Sequence, residues 1–321
     1  MIHSGEAIVV KNAGSHYLLS ELPQWNLFPA VLRGKVRLDR SASTNPVAVG
    51  DRVRYSIDCP AESPSGISCA TDTNPAVITE VLDRSNYLIR RSTNLSRQSH
   101  VIAANLDQAV IVVSMLFPEI KLPFLDRILV TCEVYKIPVL IVLNKVDLYP
   151  DYEGTEDFCR IYGDAGYKVL KTSARTGEGI AELRSLCKGK LNLVSGESGV
   201  GKSSLIKAMD PALDPKVGKI SMAHLQGKHT TSLYEMYPLE FGGYIIDSPG
   251  LRGFGLVDLE KEEISKYFPE MLAVMDDCRF VPCTHTHEPG CAVKQALEEG
   301  RISRERYNSY LGMLEEDSKF R

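Results

Sequence analysis

Gly196-Glu197-Ser198-Gly199-Val200-Gly201-Lys202-Ser203 is the stretch whose reading decides the architecture of this chain. It fits the pattern G-x-x-x-x-G-K-S in full, with a strand pattern at 190–194 before it and a helical pattern at 202–209 after it. Glycines in such a loop let successive backbone N–H groups turn toward phosphate oxygens. The helix that follows adds the favourable end of its dipole. Lys202 is expected to reach the β- and γ-phosphates of a nucleotide and Ser203 to hold Mg²⁺, with Ser204 beside them at the start of the helix.

Upstream, Asn144-Lys145-Val146-Asp147 ends an apolar strand pattern at 138–143. The Asp147 carboxylate can accept from guanine N1–H and from its exocyclic N2–H₂, two donors adenine lacks at that edge. Asn144 can meet the opposite ring edge, and the Lys145 stem can cover the base. Ser173-Ala174-Arg175 follows a further strand pattern at 167–171 and fits a loop whose backbone N–H bonds the guanine oxygen. Downstream, Asp247-Ser-Pro-Gly250 follows a strand pattern at 243–247. Asp247 is placed to act on Mg²⁺ through water, and the Gly250 N–H to bond the γ-phosphate. Leu251 stands next, where a water-orienting Gln is common. Between these, Gly227-Lys228-His229-Thr230-Thr231 occupies the place of a first switch. Thr231, with Thr230 as the alternative, is expected to complete the Mg²⁺ shell, and His229 to orient the attacking water in place of the missing Gln. The base-reading elements thus precede the phosphate loop, whereas most GTP-hydrolysing proteins run the other way. A sheet accepts such rewiring when the original termini lie close together.

The flanks differ in character. Short strand patterns at 6–11, 15–20, 31–38, 51–55 and 76–82, separated by Gly, Pro and Asn, suit a small barrel. Arg33, Lys35 and Arg37 alternate along the third of them and share one face. By itself such a face is only solvated, although residues 1–100 do carry 11 Lys/Arg against 9 Asp/Glu in a chain of net charge −4. Residues 56–75 read as a mobile polar loop and 85–104 as a linker. Strands alternating with helices from 105 onward imply a largely parallel sheet covered on both faces. Residues 258–321 read as mostly helical, interrupted by Cys278-x₄-Cys283-x-His285-x₅-Cys291. Four such donors suit tetrahedral, structural Zn²⁺, with His285 preferred over the competing His287 for the nitrogen position. Cys59, Cys69, Cys132, Cys159 and Cys187 are scattered, which favours metal over a disulfide framework. No apolar run approaches the roughly 18 residues that span a bilayer, and no secretion signal opens the chain, so a cytoplasmic monomer is expected.

Taken together, these motifs resemble the RsgA family (also called YjeQ or EngC), circularly permuted GTPases that act with the small ribosomal subunit. The resemblance rests on Asn144 to Asp147 preceding Gly196 to Ser203, on Gly227 to Thr231, on Asp247 to Gly250, and on the Cys278 to Cys291 cluster with its Glu-Pro-Gly-Cys ending. It implies an OB-fold barrel over 1–84, a linker over 85–104, a permuted P-loop GTPase fold over 105–257 and a zinc-binding domain over 258–321. It also implies late small-subunit (30S) maturation, rRNA contact through Arg33, Lys35 and Arg37, and GTP hydrolysis to GDP and phosphate stimulated by that subunit. The alternative is an RNA-assembly chaperone in which GTP is mainly a structural ligand, a reading Leu251 favours. A P-loop ATPase or kinase is disfavoured by the guanine-reading Asp147.

Overall fold

The computed structural model describes residues 1–32, 46–59, 66–91, 99–213, 234–247 and 259–316. The N-terminal strands close on themselves. β1 (Ile2–Ala13) pairs on one edge with β2 (His16–Ser20), which continues to β3 (Leu27–Leu32) and then β5 (Ala76–Val81). The ring returns through β4 (Arg52–Asp58) to the other edge of β1. Only the β3–β5 pair is parallel, so this is a five-stranded barrel with OB-like strand order. Alternate residues Phe28, Ala30, Val53, Tyr55 and Ile57 fill its interior, as the period of two requires.

The third strand begins earlier than its sequence pattern proposed. Phe28 and Ala30 point inward across Pro29, and pairing runs from Leu27 to Leu32. Arg33, Lys35 and Arg37 lie outside the described residues. Within the polar stretch 56–75, the described residues 56–59 and 66–75 carry regular structure. β4 extends to Asp58, a 3₁₀ turn spans Ile67–Cys69, and a disulfide joins Cys59 to Cys69 with Cα atoms 5.6 Å apart. This replaces the reading of those two cysteines as scattered thiols. Asn74 Nδ2 ties the same region by donating to the carbonyls of Asp58 and Cys69.

The stretch read as a linker contains a hairpin. β6 (Tyr87–Arg91) and β7 (Ser99–Ala104) pair antiparallel, and Val49 bridges to Ala103. Leu88, Ile102 and Ala103 are buried in the same cluster as the central domain's core, which is why the segment folds back.

The central sheet runs β10 (Lys168–Thr172), β9 (Val139–Asn144), β8 (Gln108–Val113), β11 (Leu191–Ser195), β13 (Tyr244–Asp247), β12 (Glu235–Pro238). The first five are parallel, and β12 runs antiparallel to β13. Every residue of β8 and β11 is buried, the pattern of strands covered on both faces. Helices α1 (Leu122–Val134), α2 (Gly154–Asp164), α3 (Ile180–Cys187) and α4 (Lys202–Met209) cover them. β12 was not anticipated in the sequence. It joins barrel to core: Lys11 pairs with Glu235 along the backbone and through its ammonium at 2.8 Å, and Trp25 stacks on Tyr244.

The C-terminal segment is mostly helical, as its pattern implied. It folds through 3₁₀ turns at Lys261–Tyr267 and Met275–Asp277, the short α5 (Pro269–Leu272), then α6 (Ala292–Glu298) and α7 (Arg304–Glu316). Its apolar core takes in Val130 of α1, so the segment packs directly on the central domain. Arg306 anchors that contact. Its guanidinium donates to Asp126 Oδ1 of α1 at 2.7 Å and to both carboxylate oxygens of Glu270, under the faces of Phe268, Tyr162 and Tyr167. Among the described residues no helix is long and apolar enough to cross a membrane.

Candidate nucleotide site and metal centre

The sequence motifs converge because the strands that carry them are parallel. Asn144 ends β9, Thr172 ends β10, Ser195 ends β11 and Asp247 ends β13, so four loops leave the same edge of one sheet. That edge, at the carboxyl ends of the strands, is where open α/β sheets bind ligands.

The loop from Gly196 to Gly201 requires glycine for steric reasons at two points. A Cβ on Gly196 would lie 2.1 Å from the Val112 carbonyl oxygen, and one on Gly201 would lie 2.5 Å from Asn144 Nδ2. Both residues also take positive φ. Inside the loop, Lys202 Nζ donates to the carbonyls of Gly196 and Glu197, each at 2.8 Å. Burial lowers the Lys202 pKa, while the charges of Asp247 and Glu197 act to raise it. Its ammonium is thus held partly out of water, where attraction to an anion is strongest. Ser203 and Ser204 are exposed on the first turn of α4, and Ser198 and Gly199 are exposed on the loop.

The residues that the sequence pattern assigns to guanine are cross-braced. Asn144 is buried, and its carboxamide joins three loops: Nδ2 donates to Val200 O at 2.9 Å, and Oδ1 accepts from Thr172 Oγ1 and Ala174 N. Lys145 takes a left-handed conformation, φ 69°, and its Nζ donates to the carbonyls of Phe117 and Gly199. Asp147 is oriented by Ser173, whose hydroxyl donates to Oδ1 at 2.6 Å and accepts from the backbone N–H of Arg175 and Thr176. Arg175 approaches the second oxygen at 3.6 Å from an exposed position. Val146 is buried beneath the turn. Sequence reasoning missed the Phe117 carbonyl, because the loop that carries it has no motif of its own. His229, Thr230, Thr231 and Gly250 lie outside the described residues.

In the C-terminal segment, donor atoms of Cys278, Cys283, His285 and Cys291 all lie within 4.8 Å of one another. His285 Nδ1 faces the sulfurs of Cys291 (3.4 Å) and Cys278 (3.6 Å). His287 is exposed and stands apart, its Nδ1 against Thr286 Oγ1. Burial pushes the Cys283 thiol up to about 12, raises that of Cys291, and lowers the pKa of the His285 imidazole. Three thiols and an imidazole turned on one point form a donor set that a soft divalent cation satisfies by displacing the thiol protons. Glu288 builds the loop around it, accepting from Thr284 N and Oγ1, Thr286 N and His287 N. Tyr307 and Tyr310 clamp it by donating to the carbonyls of His285 and Thr284. None of these three carries a metal-ligand signature in sequence.

A family model described as RsgA GTPase matches residues 81–257. The chain is 46% identical over 320 residues to a Bacteroides fragilis protein named small ribosomal subunit biogenesis GTPase RsgA, covering 98% of this chain and 99% of that one. It is 45% identical to the Flavobacterium psychrophilum protein of the same name, covering 97% and 93%. Among solved structures, YjeQ from Thermotoga maritima superposes with a TM-score of 0.76 at 34% identity over 98% of both chains. YloQ, titled a circularly permuted GTPase, gives 0.70 at 26% identity over 99% of this chain and 96% of that one.

Proposed function

This chain belongs to the RsgA GTPase family, and from that premise we propose that it is a cytoplasmic GTPase of small ribosomal subunit biogenesis, hydrolysing GTP to GDP and phosphate. The single observation that carries the reading is the set of loops at one sheet edge, knit together by the buried Asn144 carboxamide. Catalysis is positioning and charge stabilisation, since phosphoryl transfer leaves little covalent work for the protein. The backbone from Gly196 to Ser204 cradles the phosphates, and Lys202 leaves its carbonyl partners for the β- and γ-oxygens. Ser203, Thr231 and Asp247 would hold Mg²⁺, with Thr230 as the alternative to Thr231, and the ion would neutralise charge on the β- and γ-phosphates. Gly250 bonds the γ-phosphate, and His229 orients the attacking water. Asp147, braced by Ser173, accepts from the guanine edge, and Ala174 and Arg175 close over its oxygen side. Cys278, Cys283, His285 and Cys291 would hold one structural Zn²⁺. The barrel meets rRNA phosphates through Arg33, Lys35 and Arg37, and the protein acts as a monomer.

The test is steady-state GTP hydrolysis with and without purified small subunits, for the wild type and for His229→Ala. Strong stimulation that the variant loses supports the coupled enzyme with His229 as the water-orienting group. Stimulation that survives in the variant removes that role from His229. Absence of hydrolysis under both conditions favours the assembly-chaperone reading instead. Lys202→Ala is expected to cut the stimulated rate about 10²–10³-fold, the usual cost of removing one preorganised charge from a transition state. A rate within threefold of wild type would take Lys202 out of the mechanism.

A further inference from the structure

Tyr149 lies two residues past Asp147, in no motif, and its ring is 5% exposed, packed edge-on against Tyr152. Its hydroxyl sits between the two central strands. It donates to the Asn144 carbonyl at 2.6 Å and accepts from the Met115 backbone N–H at 3.2 Å. The ladder between β8 and β9 runs in parallel register to its last pair, Val113 with Leu143. One step further the strands part toward different loops, and the phenol oxygen occupies the place of the next rung.

We infer that Tyr149 is a positioning residue for the 144–147 turn, setting how well the site discriminates guanine; the inference rests on the guanine reading of Asp147 proposed above. The turn has to leave β9 through Lys145 in the left-handed region, which is strained for a residue with a side chain and persists only where surrounding contacts enforce it. Within the turn, Leu148 N donates to Lys145 O and Tyr149 N to Val146 O. These bonds shape the turn but do not fix it to the sheet. The links outward are the Asn144 carboxamide, the Lys145 ammonium, the Asp147 carboxylate that accepts from Ser173, and the Tyr149 phenol. Of these, the phenol alone grips the backbone carbonyl of the residue from which the turn departs. The loop it grips on the other side, 115–117, is the one that receives Lys145 at the Phe117 carbonyl. Two bonds therefore join the turn to that loop, and Asp147 inherits its place from both.

The consequence concerns selectivity. Asp147 gains from guanine a pair of hydrogen bonds, to N1–H and N2–H₂. Hypoxanthine offers N1–H but has no amine at position 2. A carboxylate displaced by a fraction of an ångström loses the paired geometry first, so guanine loses more than hypoxanthine does.

The experiment titrates the full-length chain with GDP and with inosine diphosphate by calorimetry, for wild type and Tyr149→Phe. The substitution keeps the ring and its packing but leaves the Met115 N–H and the Asn144 carbonyl without their bridging group. The GDP dissociation constant is expected to rise about 10-fold and that of inosine diphosphate less than about threefold, narrowing the preference between them. Melting temperatures measured on the same samples separate this from a general loss of fold. Equal losses for both nucleotides, or unchanged constants, would overturn the inference while leaving the guanine reading standing. A wild-type chain with no preference for GDP would overturn that reading and this inference with it.

Discussion

Arg306→Met is expected to lower the unfolding free energy by about 3–5 kcal/mol, the usual cost of removing one partner from a buried ion pair. The side chains of Arg306, Asp126 and Glu270 are 1%, 0% and 6% exposed, so water cannot take over the role of the guanidinium. Burial already holds the Asp126 carboxyl above its ordinary pKa in spite of Arg306. Without the cation, the Asp126 carboxyl would titrate higher still in the folded chain. The folded state then binds more protons, so the variant's deficit should shrink as pH falls from about 8 to about 5 and be largest at the alkaline end. Denaturant midpoints at the two pH values measure it. A second variant, in which Asp126 and Glu270 are also replaced by leucine, should recover much of the loss, because an apolar trio of similar volume avoids the desolvation penalty. A loss under about 1 kcal/mol for Arg306→Met, or one that grows as pH falls, would show that the triad does not hold α7 to α1.

Removing zinc should have the larger effect on the C-terminal segment. Structural zinc sites in small peptides contribute about 10–16 kcal/mol, and here the apolar cluster around Phe268, Met271 and Tyr310 would retain part of the order. A chelator at neutral pH is expected to abolish the near-ultraviolet dichroism of Tyr307 and Tyr310, whose hydroxyls clamp the ligand loop. It should also lower the first melting transition while leaving that of the barrel in place. Metal analysis should find one zinc per chain in the wild type and in His287→Ala, and markedly less in His285→Ala. Retention of zinc by His285→Ala, or melting curves that chelation does not move, would exclude the four-residue site.

These two predictions depend on parts of the molecule that differ in how legible they were. The cysteine spacing suited a metal centre, and His285 was preferred over His287 as its nitrogen donor, although spacing alone does not say which imidazole turns inward. In the structure the His285 ring faces the cysteines, from a backbone of positive φ on a loop held by the hydroxyls of Tyr307 and Tyr310. Arg306 had no signal at all. In sequence it is one cation in a helix of mixed charge, and its acidic partners are 36 and 180 residues away. The hairpin β6–β7 was hidden for the same reason. Its apolar residues are few and short in run, and become informative only against a core supplied by other segments. The Cys59–Cys69 disulfide likewise depends on β4 and the 3₁₀ turn bringing two Cα atoms to 5.6 Å.

What the sequence determined by itself is the chemistry of each loop and its order along the chain. A phosphate cradle, a guanine-reading turn and a soft-donor cluster each sit within a dozen or so consecutive residues, so local spacing fixes which groups can act together. The tertiary structure decided how those loops are held. The parallel register of β10, β9, β8, β11 and β13 brings their ends to one edge, and only then can Asn144 bridge to Val200 and Tyr149 to Met115. Such contacts span tens of residues, and the hydrogen bonds that make them are ordinary ones. Their partners become specific when burial removes water as the competing donor and acceptor, and that condition exists only in the packed fold.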